Sequence, residues 1–376
     1  MMTREQLTAP TSRTVFILTS EAPESGGGAE HFVREAIRGL EARGYRTEVF
    51  HRGNSEPAWL AKRKGPIGKK IAGTLLGYWI GRRAQRHMTE DVAAVISNST
   101  VGYFPLRSKA SFKNIHFHHG TYRGQSEAIR PFISYGGYLY LKWWDSMVLE
   151  RSSGRGKLVL TCSEQTSDEV SRFFGQKSTA AWYPIDTERF QPLDAKAARA
   201  ALKLPDGKPV GVFVGSIHPM KGFPLVRSLI ERLPEVHWVL ALRGGLPRAK
   251  VIAPNVTMLQ NVPHDQIPAI YNAADFSLCP SLYEPFGYVV AEALACGTPV
   301  IASPGGAGRL FLRGDPMSRL MITNGDQVRG FLNAVREILR EPEVYRRSVV
   351  ESVRPRIEEL MAPENWWRRF FELTEL

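Results

Sequence analysis

Short apolar runs that alternate with helical patterns constrain the fold of this chain more than any other feature. A first block has four such runs, at residues 15–19, 92–96, 115–117 and 158–161. A second block has five, at residues 210–214, 238–242, 256–259, 276–279 and 300–302. Strands that alternate with helices in this way form parallel sheets that are covered on both faces. We therefore predict an α/β protein with two doubly wound, Rossmann-like domains that face each other across a crevice, where ligand binds at the carboxyl ends of the strands.

The periodicity lapses around residues 183–192, between the two blocks, and a chain of 376 residues is long enough for two domains. We predict an N-terminal domain over residues 1–185, a C-terminal domain over 186–350 and a helical segment over 351–376. The three cysteines lie far apart, the N-terminus has no export pattern, and no apolar stretch approaches the roughly 18 residues of a membrane span. These features predict a cytoplasmic protein.

The positive charge of the chain is concentrated in its first half. The net charge is +12, and residues 1–185 hold 26 basic against 16 acidic residues. Residues 51–87 alone hold nine basic residues and one acid. Such a field attracts phosphates or anionic surfaces. Within residues 59–87, Ile67, Ile71, Leu75 and Tyr78 fall at helical spacing. Two interpretations stay open: a helix with one buried face, or an interfacial element that contacts anionic lipid.

Two glutamates bracket the most informative segment. Glu284 is followed by Pro285, which suits a first helical position, and Gly297 suits a C-terminal cap. Glu292 would then lie about two turns into this helix. The first amides of the helix, at residues 286–289, suit an anion, and the carboxylates suit neutral hydroxyls. The segment predicts a ligand that is anionic at one end and hydroxylated at the other, as a nucleotide sugar is.

Two loops suggest further binding positions. Residues 26–28 are three glycines between the first strand and a helix, which form either a plain tight turn or a close approach of backbone to a diphosphate or an acceptor. Glu30 is expected to complement the dipole of that helix. Lys221 follows a predicted strand and precedes a helix that Pro224 begins, a natural place for a diphosphate.

Three histidines end the strand at residues 115–118. Alternation points His116 and His118 the same way, and His119 lies at the strand end. Zinc would need a third ligand beyond neighbours on one strand, so we predict no metal site. His116 and His118 are expected to be packed or hydrogen-bonded structural residues.

Taken together, these segments resemble the family 4 retaining glycosyltransferases of GT-B fold. The resemblance covers most of the chain and rests on these anchors: Gly26-Gly27-Gly28-Ala29-Glu30, Tyr183-Pro184-Ile185-Asp186 with Phe190 and Pro192, Val214-Gly215 with Lys221-Gly222, Pro280-Ser281, and Glu284 through Val300. As in relatives, the final segment, which carries Trp366, Trp367, Phe370 and Phe371, is expected to pack on the N-terminal domain.

The resemblance implies roles for individual residues. Lys221 would neutralise the leaving diphosphate, Glu284 would contact hydroxyls of the transferred sugar, and Glu292 would bind the ribose. His119 would position the donor sugar or phosphate, so Glu284, His119 and Lys221 form the implied catalytic set. The remaining implied donor contacts are Gly27, Gly28, Ser216, Val262, Phe286, Gly287, Tyr288 and Val289. Tyr122 and Arg123 are assigned to the acceptor.

Two positions depart from the family pattern. Ser216 stands where many relatives carry arginine, and Arg309 stands roughly where many carry glutamate. Arg243 or Arg309 is expected to supply the missing positive charge. These departures bear on donor choice.

The resemblance implies a metal-independent hexosyltransferase of glycan, polysaccharide or glycolipid biosynthesis. Its donor would be a UDP-sugar, with GDP-mannose as the alternative, and its acceptor a saccharide or a lipid-linked molecule at the inner membrane face. Three rivals remain: an inactive sugar-nucleotide-binding relative, a basic protein that binds nucleic acid or membrane, and a nucleotide-sugar epimerase. A nucleic-acid binder would need an aromatic platform or a recognition helix among the basic residues, and none stands out.

Overall fold

The computed structural model describes residues 13–25, 27–63, 65–244, 253–323 and 326–376. The chain divides into two compact units. The N-terminal unit comprises the chain up to Tyr183 together with Trp367–Leu376, and the C-terminal unit is Pro184–Trp366. The division lies two residues before the predicted boundary at 185, and it splits the predicted tail of residues 351–376 between the units. Gly26 of the glycine loop and Lys64 of the basic segment lie outside the described residues.

The N-terminal unit contains a six-stranded parallel sheet in the order β2-β1-β3-β4-β5-β6. Its strands are β1 (Thr14–Leu18), β2 (Arg46–Phe50), β3 (Val92–Asn98), β4 (Lys113–His118), β5 (Leu158–Thr161) and β6 (Thr179–Ala180). The four predicted strands are present. The two edge strands, β2 and β6, were not predicted, because β2 carries polar residues at its first three positions and β6 has only two residues.

Helices cover this sheet. They are α1 (Gly28–Glu41), α2 (Arg52–Ser55), α3 (Ala58–Ala61), α4 (Gly65–His87), α5 (Tyr122–Ala128), α6 (Tyr135–Leu139), α7 (Arg151–Gly154) and α8 (Glu164–Phe174). A 3₁₀ turn spans Arg130–Phe132, and a π-helical stretch, Tyr140–Glu150, joins α6 to α7.

Helix α4 buries a different stripe from the one at helical spacing in the sequence pattern. Leu76 and Ile80 are buried in the core with Ala72 and Ala84, whereas Ile67 is 76% exposed. Two glycines set the approach of this helix to the following loop. A Cβ built on Gly77 would lie 2.5 Å from Tyr103, and one built on Gly81 would lie 2.3 Å from Phe104. The aliphatic side chains at 67 and 71 are therefore left outside the core.

The last helix, α17 (Pro363–Thr374), packs on α1 through residues of the N-terminal unit. A Cβ on Gly39 would lie 1.8 Å from the Trp367 ring, so only glycine leaves room for the indole. The Tyr45 and Phe371 rings stack at 6.4 Å, and the Arg43 guanidinium lies 4.6 Å from the Phe371 centroid.

The C-terminal unit contains a five-stranded parallel sheet in the order β11-β10-β7-β8-β9, and all five strands were predicted. The strands are β7 (Val210–Gly215), β8 (His237–Leu242), β9 (Val256–Gln260), β10 (Phe276–Cys279) and β11 (Val300–Ala302). The helices are α9 (Ala195–Ala201), α10 (Phe223–Arg232), α11 (Ile267–Asn272), α12 (Tyr288–Ala295), α13 (Gly306–Phe311), α14 (Gln327–Arg340), α15 (Pro342–Ser348) and α16 (Arg354–Met361). Shorter turns are the 3₁₀ helices Pro219–Lys221, His264–Gln266 and Met317–Leu320 and the π-helical Val349–Val353.

Candidate functional site

The carboxyl ends of β7 and β10 bring two of the predicted residues together. The two strands are neighbours in the sheet, so the loops that follow them meet at one edge. Lys221 lies in the loop after β7 and Glu284 in the loop after β10, and Lys221 Nζ donates to Glu284 Oε2 at 2.7 Å. An ion pair thus joins the residue assigned to the diphosphate and the residue assigned to the sugar.

The carboxylate of Glu284 is held by one of its two oxygens. Oε2 also accepts a hydrogen bond from Ser281 Oγ at 2.9 Å. Within the described part of the chain, Oε1 makes no hydrogen bond. The Glu284 side chain is 15% exposed and that of Lys221 33%. One oxygen is therefore fixed by protein donors, and the other remains able to accept from a ligand hydroxyl.

Lys221 is a cation in this environment. Its pKa is raised above the ordinary value, chiefly by the negative charge of Glu284; burial opposes the shift, and the positive charge of Arg243 opposes it to a smaller extent. Arg243 follows β8, and its backbone N–H donates to the Gly215 carbonyl oxygen at 2.8 Å. Arg243 and Arg309 were the two residues expected to supply the positive charge that Ser216 lacks. Of these, Arg243 interacts electrostatically with Lys221. Ser216 itself lies directly after β7, where its carbonyl oxygen accepts from the His218 backbone N–H at 2.8 Å.

The turn after Lys221 requires glycine. Gly222 has φ 71°, and a Cβ there would lie 2.0 Å from the Pro280 carbonyl oxygen. Pro280 directly follows β10, so this close approach fixes the Lys221 loop against the segment that leads to Glu284. Pro224 lies in the first turn of α10, as predicted.

Helix α12 begins later than the sequence indicates. Pro285 is not its first residue, because Gly287, with φ 87° in the left-handed region, precedes the first helical residue, Tyr288. Residues before this point are held by α13: the Ala307 backbone N–H donates to the Phe286 carbonyl oxygen at 2.5 Å. Phe286 is buried before the helix starts, so the amides of the helix N-terminus belong to Tyr288 and Val289. Gly297, with φ 78°, follows the end of the helix, as predicted.

Glu292 lies in the second turn of α12 and is nearly buried. Its Oε1 pairs with His264 Nε2 at 2.9 Å, and its Oε2 accepts from the Tyr271 hydroxyl at 3.4 Å. Burial raises the pKa of Tyr271, so that phenol stays protonated and acts as a donor. The sequence interpretation missed Tyr271, although a tyrosine in an apolar helix signals a hydroxyl that needs a partner. Val262 lies in the loop between β9 and the His264 turn.

The glycine loop of the N-terminal unit carries a negative charge. Gly27 is the N-cap of α1 and Gly28 its first residue. A Cβ on Gly27 would lie 1.8 Å from Glu30 Oε2, so this carboxylate covers the backbone that a ligand would approach. Like charges repel, so this loop suits a neutral hydroxyl better than a phosphate.

His119 is neutral and engaged at both ring nitrogens. Nε2 lies 2.9 Å from Asn98 Oδ1, and Nδ1 contacts the Tyr183 hydroxyl. Burial, with a smaller contribution from His118, lowers the pKa of His119 to about 3. We assign Nε2–H as the donor to Asn98 and Nδ1 as the acceptor from Tyr183. A sugar contact by His119 would have to replace or share one of these hydrogen bonds.

His116 and His118 point the same way, with ring centroids 4.5 Å apart, as the strand alternation predicts. Burial lowers the pKa of His118 to about 3 and raises that of Glu150 well above its ordinary value. The 3.9 Å contact between His118 Nδ1 and Glu150 Oε1 therefore joins a neutral imidazole to a carboxyl group whose protonated form is favoured by burial. Among the described residues, no group of three or more histidine, cysteine, aspartate or glutamate side chains is placed to hold a metal ion.

The residues assigned to an acceptor lie at the start of α5. The backbone N–H of Tyr122 donates to Glu150 Oε2 at 2.9 Å, and burial raises the pKa of the Tyr122 phenol. The Arg123 guanidinium lies over the Phe173 ring, 4.6 Å from its centroid. Both side chains are thus packed within the N-terminal unit.

Two family models match the chain. The model of Glycosyltransferase Family 4 matches residues 26–189, and that of Glycosyl transferases group 1 matches residues 194–352. The D-inositol 3-phosphate glycosyltransferase of Mycobacterium bovis (strain BCG / Pasteur 1173P2) is 34% identical over 170 residues, 42% of this chain and 35% of that protein. The match spans about a third of the length of that relative.

Solved structures share the fold over nearly the whole chain. Sucrose-phosphate synthase from Thermosynechococcus elongatus superposes with a TM-score of 0.74 at 19% identity, covering 96% of this chain and 98% of that one. Anabaena HepE, solved in complex with UDP-glucose, has a TM-score of 0.70 at 15% identity and covers 97% and 100%. At such identities the likeness shows the fold alone. The two family models together account for residues 26–189 and 194–352, and the chain belongs to the family 4, group 1 glycosyltransferases of GT-B fold.

Proposed function

We propose that this protein transfers a hexose-type sugar, with retention of anomeric configuration, from a nucleotide diphosphate donor to a saccharide or lipid-linked acceptor. The Lys221–Glu284 pair is the observation that carries the proposal. It sets a cation and a carboxylate side by side at the carboxyl ends of β7 and β10, next to the N-terminus of α12. A ligand with an anionic and a hydroxylated part matches this pair.

The donor would bind the C-terminal unit in one orientation. Lys221 and the positive end of the α12 dipole suit the diphosphate, because both favour negative charge. Glu284 Oε1 would accept from a sugar hydroxyl, and Glu292 would accept from the ribose. We favour a UDP-sugar over GDP-mannose, since Anabaena HepE of the same fold was solved with UDP-glucose.

In the proposed reaction the acceptor hydroxyl attacks the anomeric carbon on the face from which the diphosphate leaves. The new C–O bond forms as the bond to the phosphate oxygen breaks, and the hydroxyl proton passes to the departing diphosphate. Lys221 and the α12 N-terminus stabilise the negative charge that develops on that leaving group, the preorganised electrostatic effect that is usually the largest. These groups replace a divalent metal in the scheme.

The acceptor would bind the N-terminal unit. Gly27 and Gly28, with Glu30 beside them, offer backbone and a carboxylate to acceptor hydroxyls, and Tyr122 and Arg123 are further candidates. His119 would act as a neutral hydrogen-bonding group, because a pKa of about 3 leaves it uncharged at neutral pH.

Transfer assays with a panel of nucleotide sugars test the proposal, with EDTA present and absent. We expect donor hydrolysis or transfer with one nucleotide, unaffected by EDTA, and its loss in Glu284→Ala. Wild-type turnover in that variant would remove Glu284 from the mechanism. Nucleotide binding without turnover on any acceptor would favour the inactive sugar-nucleotide-binding relative.

We also propose that the protein binds to an anionic membrane surface and takes its acceptor there. None of the described helices is long and apolar enough to cross a bilayer. An exposed face nevertheless joins α4 to the π-helical stretch, where Trp144 Nε1 donates to Thr74 Oγ1 at 2.8 Å. Ile67 is 76% exposed and Trp143 56%, and Lys69 and Lys70 lie on the same helix as Ile67. Exposed apolar and aromatic side chains beside lysines suit a lipid interface.

Vesicle flotation tests this membrane contact. Vesicles of phosphatidylglycerol and phosphatidylcholine should bind the protein at moderate salt, and Trp143→Ala or Lys69→Gln with Lys70→Gln should reduce binding. The matched charge control is Arg336→Gln with Arg340→Gln on the exposed side of α14. Absence of binding by the parent protein, or equal loss in the control, would contradict the proposal.

A further inference from the structure

A cavity of about 390 Å³ opens in the N-terminal unit, away from the predicted site residues. Its lining comes from two places: the π-helical stretch and α7, which precede β5, and the end of α8, which precedes β6. The lining residues include Met147, Arg151, Ser152, Arg155, Phe174 and Gln176. These segments precede their strands, whereas Gly27 and His119 follow theirs. In a parallel sheet, residues that precede the strands lie at the amino ends of the strands, and residues that follow them lie at the carboxyl ends. The cavity is therefore separate from the glycosyl-transfer residues of this unit.

The charged groups of the cavity are both cations. Arg151 and Arg155 are four residues apart, and neither forms an ion pair within the described ranges 13–25, 27–63, 65–244, 253–323 and 326–376. No aspartate or glutamate lines the cavity. Two guanidinium groups without an internal counter-ion favour an anion, and their fork of N–H groups suits phosphate.

The remaining lining adds a polar and an apolar side. Gln176 Nε2 donates to the Arg151 carbonyl oxygen at 2.7 Å, which ties the end of α8 to α7. Behind the wall, a Cβ on Gly154 would lie 2.7 Å from Gln176 Oε1 and 3.3 Å from His118 Nε2. Both of these buried atoms lack a hydrogen-bond partner in the described structure. Phe174 and Met147 supply the apolar side, and the volume lies in the range of small-molecule sites.

We propose that this cavity, the Arg151–Arg155 pocket, binds a phosphate group carried on a small hydroxylated body. The two guanidinium groups hold the phosphate, and Ser152, Gln176 and the Phe174 side face the body. A phosphoglycerol lipid headgroup and a soluble sugar or polyol phosphate share this chemistry. The inference stands independently of the proposed glycosyl transfer.

Titration with glycerol 3-phosphate tests the pocket in the full chain, by calorimetry, with phosphatidylglycerol vesicles as a second arm. All measurements are made in the Lys221→Ala background, so that phosphate bound near Glu284 does not contribute. We expect Arg151→Gln with Arg155→Gln to weaken binding about tenfold or more, because charge-assisted hydrogen bonds to phosphate are lost. Ser152→Trp, which fills the cavity without changing the charge, should weaken binding to a similar extent.

Arg336→Gln with Arg340→Gln is the matched control, since these two arginines are also four residues apart on an exposed helix side. Loss of glycerol 3-phosphate binding in the pocket variants alone supports a soluble ligand, and loss of vesicle binding alone supports a lipid headgroup. Equal losses in pocket and control variants overturn the proposal. A fall in thermal midpoint without any change in binding also overturns it, because the arginines then serve only to complement the helix C-termini.

Discussion

Glu284→Gln should strengthen binding of UDP while it abolishes transfer. In the proposed complex, a diphosphate oxygen accepts from the same Lys221 ammonium that donates to Glu284 Oε2 at 2.7 Å. Two acceptors on one ammonium, each about 2.8 Å away, lie about 4.5 Å apart. The Glu284 carboxylate therefore repels the diphosphate even as it holds the lysine in place.

The size of this repulsion follows from the distance and the exposure. Two like charges about 4.5 Å apart repel by about 1 kcal/mol in water and by about 4 kcal/mol at an effective dielectric constant of 20. Lys221 is one-third exposed, so we take the lower value. Removing the charge at 284 should then tighten UDP binding about fivefold or more. The substitution keeps the shape of the side chain and a carbonyl oxygen for Ser281.

Calorimetric titration with UDP measures this effect, and a transfer assay runs in parallel. Lys221→Gln should weaken UDP binding about tenfold or more, because a charge-assisted hydrogen bond is lost. Glu292→Gln is the matched control: it also removes a carboxylate from the C-terminal unit, and it should weaken UDP binding because an acceptor for the ribose is lost. Weaker UDP binding in Glu284→Gln, or unchanged binding in Lys221→Gln, would refute the assignment of the diphosphate to Lys221.

Three further predictions concern stability, each checked by the midpoint of thermal unfolding. Gly222→Ala should destabilise the protein by about 2–4 kcal/mol, since its Cβ would lie 2.0 Å from the Pro280 carbonyl oxygen at φ 71°; Gly207→Ala, at the same φ with no atom within 4 Å, should lose only about 1 kcal/mol. Gly39→Ala should lower the midpoint because its Cβ would meet the Trp367 ring, whereas Gly73→Ala, in helix α4 with open space, should raise it. Buried His118 has a pKa of about 3 in the folded protein, so below pH 6.5 it takes up a proton only when the chain unfolds. Proton uptake on unfolding favours the unfolded state as the pH falls, so the midpoint of thermal unfolding should be lower at pH 5 than at pH 7. His118→Asn should flatten this fall, and an unchanged slope in His118→Asn would contradict the buried neutral histidine.

Interior strands could be predicted from the sequence because each is a short apolar run. Seven interior strands, together with the edge strands β9 and β11, lie where the runs indicated. The edge strand β2 escaped prediction because its first three positions carry polar residues, which mask the apolar pattern. The buried stripe of α4 was also not apparent, because apolar residues lie on several sides of this helix and tertiary packing selected one of them.

Within the candidate site, the residue types were predictable and their contacts were not. A carboxylate after a buried strand and another on the following helix are visible in the sequence, and both lie there in the structure. The predicted start of α12 was wrong because proline is compatible with a loop as well as with the first turn of a helix. Gly287, in the left-handed region, precedes the helix and leaves Pro285 in the loop. Tyr271 and His264 as partners of Glu292 depend on packing between segments distant in the sequence, whereas Ser281, three residues before Glu284, is a local partner that the sequence interpretation did not assign.

The sequence by itself determined the α/β class, the two sheets and the family, because strand and helix periodicities and glycine turns are local properties of the chain. Only the tertiary structure decided that β10 lies beside β7, since strand order is set by long-range packing. That order joins Lys221 to Glu284, which lie 63 positions apart in the sequence. It also places the Pro280 carbonyl oxygen so close to residue 222 that only glycine fits there, and it brings Arg243 close enough to affect the pKa of Lys221. The sequence thus determined which side chains are available for the candidate site, and the sheet topology determined how they are arranged.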